Sequence, residues 1–310
     1  MRLMRFLLAM MLMLSMTLTA EAKTPEEFAA ERNGYAALKS FFEAPKSKAD
    51  CVSQTQVILH SPYIHGEFRS RGLERPKQKL EVDKGSINVN VTAAGDALNF
   101  DLPFYLVMNA NALSIYFNWE DSWKKLVFND VNFSTLDDGA NAARMVLVER
   151  AVLLDDTSGQ QIVRASFGCQ RIADVIGAVT PEVQPDADKG KKSDVLAKCL
   201  NDALIQTETI DAVFTINKET AQPLMIELDL SNFVMNALNA LATQEDVVKS
   251  GASKILSGLA STTRLQLFMF YDYSGNFNEK EFELPKKVRK AEDITNDLLS
   301  MVKTESTKTR

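Results

Sequence analysis

Apolar and polar positions alternate through much of the chain. In SINVNVT (86–92), Ile87, Val89 and Val91 point one way and Ser86, Asn88, Asn90 and Thr92 the other. That period of two marks an antiparallel strand with one buried face. Residues 55–60, 78–83, 104–108 and 113–118 share the pattern, and TAAGDA and NANA supply turns. Strands this closely spaced, with no helix between them, predict a meander rather than βαβ units.

Elsewhere the period lengthens. Thr24-Pro25-Glu26-Glu27 reads as a capped helix start, and Phe28, Tyr35, Leu38 and Phe42 then share one helical face. Residues 144–167 predict a hairpin turning at 155–159, with helix as the alternative for its first half. CQRIADVIGAV and DVLAKCLNDALI predict helices on either side of a polar linker at 180–193. Residues 208–231 predict strand, turn, strand. A helical excursion follows at 232–261, and then a strand at 262–273, whose Leu265, Leu267, Met269 and Tyr271 oppose Phe268 and Phe270. KEFELP (280–285) predicts a last strand stopped by Pro285, and Ile294, Leu298 and Met301 a short amphipathic terminal helix. The expected class is α+β.

The N-terminus changes the picture. Arg2 and Arg5, an apolar run at 6–14 and Thr19-Ala20-Glu21-Ala22 predict a secretory signal peptide over 1–22. The run is shorter than the ~20 apolar residues of a spanning helix. No cysteine stands at the cleavage site, so a soluble exported protein is expected, periplasmic in the first instance and secreted as the alternative. The whole chain has 35 basic and 41 acidic residues. Removing Arg2, Arg5 and Glu21 leaves 33 and 40, a net charge of −7. This argues against nucleic acid as a partner. The basic stretch 69–79 reads as a solvated strand end.

Three segments carry a family resemblance. LPFYLVMNANALSIYFNWEDSWKKL, VFTINKETAQPLMIELDLS and LQLFMFYDYSGNFNEKEFELPKKV, in that order, resemble the lipoprotein-carrier superfamily. That group includes the LolA and LolB carriers and the LprG and LppX lipoproteins, and the likeness is nearest to its uncharacterised exported members. Ile216 to Thr220, Pro223 to Asp229 and Phe277-Asn278-Glu279 to Pro285 stand where that group carries its turn and strand-end motifs. The resemblance spans roughly Tyr35 to Val288. It implies a strongly curved, unclosed antiparallel half-barrel with helices on its concave side and acyl chains held between sheet and helices. On this reading residues 23–290 form one half-barrel domain. Helical inserts near 169–206 and 232–261 look enlarged, and either lid the cavity or fill it. Residues 291–310 add the short helix and a polar tail.

Candidate chemistry is sparse. His60 and His65 are the two histidines, too few for a metal site without a Cys or His cluster beside them. No G-x-S-x-G, phosphate-binding glycine loop or calcium loop occurs. Asp137-Asp138 and Asp155-Asp156 read as turn chemistry. Trp119 and Trp123 either close a hairpin or grip a ligand at a rim. Cys169 and Cys199 are the candidate disulfide, with pairing to Cys51 or three buried thiols as alternatives. No catalytic residue, metal or cofactor is expected.

The sequence therefore points to an exported, non-enzymatic protein that holds a hydrophobic or lipid-like ligand. Ile87, Val89, Val91, Leu238, Leu241, Leu265, Leu267 and Met269 are the expected lining. The alternative is a packed structural or interaction module that binds another envelope protein. Peripheral membrane contact is compatible with either.

Overall fold

The computed structural model describes residues 23–44, 49–93, 96–109, 112–119, 122–129, 140–179 and 190–290. The expected signal peptide, the aspartates at 137–138, most of the linker at 180–193 and the terminal helix at 291–310 lie outside them. The strands are β1 (Cys51–His60), β2 (Ile64–Arg75), β3 (Leu80–Ala93), β4 (Asp96–Asn109), β5 (Ala112–Trp119), β6 (Ser122–Asn129), β7 (Val148–Asp156), β8 (Gln160–Gly168), β9 (Thr209–Asn217), β10 (Pro223–Asp229), β11 (Arg264–Asp272) and β12 (Val288–Lys290). The helices are α1 (Pro25–Glu43), α2 (Ala140–Leu147), α3 (Cys169–Val179), α4 (Gly190–Gln206), α5 (Ser231–Ala242), α6 (Glu245–Ser250) and α7 (Ser253–Thr262).

All twelve strands join one sheet in the order β12-β6-β5-β4-β3-β2-β1-β11-β10-β9-β8-β7. Every pairing is antiparallel except that of β12 with β6. The sheet does not close on itself, and it forms an unclosed half-barrel with helices on its concave side. Its outer strand β7 is broken by irregular register at 148/150 and 153/155 and carries Glu149, Arg150, Asp155 and Asp156. Bulges and charges of this kind blunt a free edge against pairing with another chain.

Helix α1 seals one end of the concave face. Its start is fixed by the expected capping box: Glu27 N donates to Thr24 Oγ1 at 3.2 Å, and Thr24 N donates to Glu27 Oε2 at 2.7 Å. Ala37, Leu38 and Phe42 then bury against Ala151, Val163, Ala165, Ala212, Phe214 and Ile216 from β7, β8 and β9. The sheet residues under the helix are small, so it settles close to them. Gly34 shows how close, since a Cβ there would stand 2.7 Å from backbone atoms of Val152 and Leu153. Tyr35 Oη donates to the Glu149 carbonyl at 2.5 Å and Arg150 pairs with Glu31 at 2.9 Å, which pins the helix along β7.

Three expectations are corrected. Residues 80–83 and 86–92 belong to a single strand, β3, because Lys84 and Gly85 continue the ladder against Arg71 and Ser70, while Gln78 ends a 3₁₀ turn at Pro76–Gln78 instead of opening a strand. The stretch 69–79 is largely the second half of a full strand, β2, which the period of two did not reveal. Its concave positions include Gly66, Ser70 and Gly72, too small to give an apolar signal. Residues 280–285 form no strand. Asn278 Oδ1 caps a 3₁₀ turn at Glu279–Phe282, and Phe282 buries against Val52, Leu73 and Val82 on the convex face. The apolar positions that suggested a strand are satisfied by this docking. The hairpin at 144–167 is β7 and β8 preceded by α2, so its first residues take the helical alternative.

Gly34→Ala tests the close approach of α1. Overpacking against backbone that cannot yield should cost about 1–3 kcal/mol in urea unfolding. Unchanged stability would mean that the helix rides further from β7.

Candidate functional site

Side chains alternate along each strand, and the register carries each face across the sheet. On the concave face one row runs Leu228, Leu267, Val57, Phe68, Ile87 and Leu102 across β10, β11, β1, β2, β3 and β4. At about 4.8 Å per strand it extends for about 24 Å. The adjacent row contains Leu265, Leu59, Gly66, Val89 and Phe100. Every apolar side chain in these two rows is half-buried. Under α1, by contrast, Ala151, Val163 and Ala165 on the same face have no exposure at all. One sheet face is thus sealed at one end and only partly covered across its middle.

Aromatic side chains floor the far part of this trough. Phe68 stacks on Phe104 with ring centroids 5.1 Å apart, and Phe100 meets Trp119 at 5.8 Å. Phe104 lies flat over Gly85, where a Cβ would come within 2.7 Å of its ring and 2.0 Å of the Arg69 carbonyl oxygen. Phe104 and Phe117 are buried by this arrangement. Trp119 and Trp123 fall on opposite faces. Trp119 joins the trough, and Trp123 packs against Tyr105 outside at 5.3 Å.

The six strand residues expected to line a ligand site, Ile87, Val89, Val91, Leu265, Leu267 and Met269, do share the concave face. Leu238 and Leu241 lie on α5, which packs against β11, α4 and α7. The start of α5 is tied to β11: Leu265 N donates to Ser231 Oγ at 3.1 Å, and Leu230 N to the Leu265 carbonyl at 2.9 Å. All eight side chains are half-buried.

A cavity of about 360 Å³ lies elsewhere, at the end of the half-barrel where β1 begins and β11 finishes. Phe41, Phe42, Cys51, Glu74, Ile226, Tyr271 and Tyr273 are among its walls, and none of the eight expected residues lines it. Beside it, Glu81 pairs with Glu74 across the β2–β3 ladder, and Asp83 and Ser53 both crowd Gly72. This acidic end continues the parity of Ile87, Val89 and Val91 along β3. The alternation is visible in the sequence, which does not mark its polar members as a cluster.

Burial dominates the electrostatics there. Desolvation, then the charges of Asp83 and Glu74, pushes the Glu81 carboxyl from 4.5 up to about 8. Burial raises Asp83 as well. Desolvation and the Glu74 charge push the Cys51 thiol up to about 12, which keeps it protonated and a poor nucleophile. Cys51, Cys169 and Cys199 are all buried free thiols, so the pairing expected between Cys169 and Cys199 is not formed in this structure. Cys169 instead packs with Ala173 and Leu204. His60 and His65 face each other across β1 and β2 with rings 5.9 Å apart. Among the described residues no group of three or more His, Cys, Asp or Glu is placed to hold a metal ion. No helix among them is long and apolar enough to cross a membrane.

No family model and no curated protein matches the chain. Among solved structures it is similar to the Mycobacterium tuberculosis lipoprotein LppX, at 9% identity over 80% of this chain and 97% of that one, with a TM-score of 0.37. It is also similar to a LolA superfamily protein from Nitrosomonas europaea, at 8% identity over 81% and 97%, with a TM-score of 0.24. A DUF1329 family protein from Desulfovibrio piger follows, at 10% identity over 82% and 97%, with a TM-score of 0.21. The first two names are those the sequence resemblance brings forward.

The acidic end gives a pH prediction. A carboxyl that titrates higher when folded than when unfolded binds its proton more tightly in the folded state. Its contribution to stability is complete below about pH 4.5 and is lost as the pH rises towards 8. Glu81→Gln should therefore raise the Tm at pH 8 and flatten the fall in Tm between pH 5 and 8. An equal fall in both proteins would place the titrating group elsewhere.

Proposed function

We propose that this chain is an exported, non-enzymatic binding protein of the cell envelope that holds a hydrophobic or lipid-like ligand along its concave face. One observation carries the reading. The sheet face that α1 seals over β7 to β9 stays apolar but only half-buried along its two central rows across β1 to β4, β10 and β11. Water against such a surface is costly, and an acyl chain laid along it recovers about 0.8 kcal/mol per buried CH₂. Eight methylenes would contribute roughly 6 kcal/mol before the cost of ordering them. A row about 24 Å long suits an extended chain rather than a compact ligand. Ile87, Val89, Val91, Leu265, Leu267 and Met269 form the bed, and Leu238 and Leu241 lie on the helical insert anchored beside it.

The burial of Phe104 and Phe117 favours a second reading, in which the trough is packed and the molecule serves as an interaction module for another envelope protein.

Titration with a fluorescent long-chain fatty acid separates the two. The native protein should enhance and saturate the fluorescence. Ile87→Asn should weaken uptake about tenfold, the equivalent of about 1.4 kcal/mol, with its fold intact by circular dichroism. Tyr63→Ser, in the exposed β1–β2 turn, should leave uptake unchanged. No saturable uptake by the native protein would favour the packed module.

A further inference from the structure

The convex face carries a feature that ligand holding does not use. The register sets Arg71, Lys84, Tyr105, Tyr116 and Lys125 side by side across β2 to β6, a row of about 20 Å at the usual strand spacing. Each tyrosine is capped by a lysine: Lys84 Nζ stands 5.8 Å from the Tyr105 ring and Lys125 Nζ 5.0 Å from that of Tyr116. Trp123 packs beside Tyr105. Arg69 lies two residues along β2, on the same face.

Two observations set this apart from a solvated strand end. Arg71 and Lys84 are direct cross-strand partners, an arrangement that like charges make unfavourable. The Nε of Arg71 is buried without a hydrogen-bond partner, although its Nη1 donates to both Glu281 carboxylate oxygens at 2.8 Å. Beside these groups lies an open hollow of about 390 Å³, lined by Gln54, Arg69, Ser70, Arg71, Lys84, Gly85, Ser86 and Glu281. Its acidic neighbours are already engaged, Glu281 with Arg71 and Glu67 with Arg69 and Gln56. Lys84 makes no ion pair with either. In a chain of net charge −6 the hollow is locally cationic.

We propose that this hollow is an oxyanion-binding site that takes a phosphate group, with Lys84 and Arg69 as its principal cations and Gln54 and Ser86 as hydrogen-bonding walls. A bound phosphate offsets the repulsion between Arg71 and Lys84 and gains charge-assisted hydrogen bonds. The half-buried Trp123, beside the buried ring of Tyr105, suits the glycerol region of a phospholipid whose phosphate sits in the hollow. The same chemistry is met by free phosphate.

Two probes distinguish these sources. Inorganic phosphate is titrated by calorimetry at low salt. Flotation is run with phosphatidylcholine vesicles, with and without phosphatidylglycerol. Saturable phosphate binding identifies the free ion as sufficient. Flotation that requires phosphatidylglycerol, without phosphate binding, identifies the headgroup at a membrane. In either case Lys84→Glu should weaken binding at least about tenfold, with fatty-acid uptake unchanged and the Tm no lower, since a carboxylate then faces Arg71 across the ladder. Lys125→Gln serves as the second variant, with a smaller loss confined to vesicles. Binding of neither probe by the native protein, or binding that Lys84→Glu leaves intact, would overturn the proposal. Neither result would touch the reading of the concave face, because fatty-acid uptake is measured separately.

Discussion

The structure depends on an unequal match between one sheet and the helices that cover it. A twelve-stranded sheet with an apolar concave face exposes more surface than a single amphipathic helix can hide. Helix α1 solves the problem locally. It approaches β7 so closely that position 34 has no room for a side chain, and the alanines of β7, β8 and β9 beneath it vanish from solvent. Beyond that contact the same face continues through Leu267, Val57, Phe68 and Ile87 without comparable cover. The site proposed for a ligand follows from the place where the cover gives out.

The two ends of the trough differ in kind. Toward α5 and the β1–β2 turn the concave rows are aliphatic and aromatic. Toward the start of β1 they become Cys51, Ser53, Glu74, Glu81 and Asp83. Carboxyls placed there are tolerated because Glu81 and Asp83 hold their protons more strongly than usual, which lowers the cost of burying them.

Much of this plan is legible in the amino-acid order, and the limits are physical. Strict alternation in 86–92 and 265–271 assigns the concave residues correctly, because a period of two needs no knowledge of partners. The cap of α1 is likewise local. Strand β2 escapes because glycine and serine occupy the concave positions where neighbouring side chains crowd in, so its pattern is written in small residues rather than apolar ones. The segment around Phe282 misleads because its apolar side chains are buried by docking onto the convex face, which the sequence does not distinguish from strand pairing. The row from Arg71 to Lys125 is invisible for a further reason. Its successive members are separated by 9 to 21 residues and meet only through four successive registers.

The central claim is that the half-buried middle of the concave face is a surface kept for a ligand. Native mass spectrometry of the protein purified from its own envelope, followed by organic extraction, tests it most directly. The account predicts a discrete extra mass on the polypeptide that organic solvent removes and that behaves as a lipid. A bare polypeptide mass, unchanged after incubation with a lipid extract of the same envelope, would contradict it.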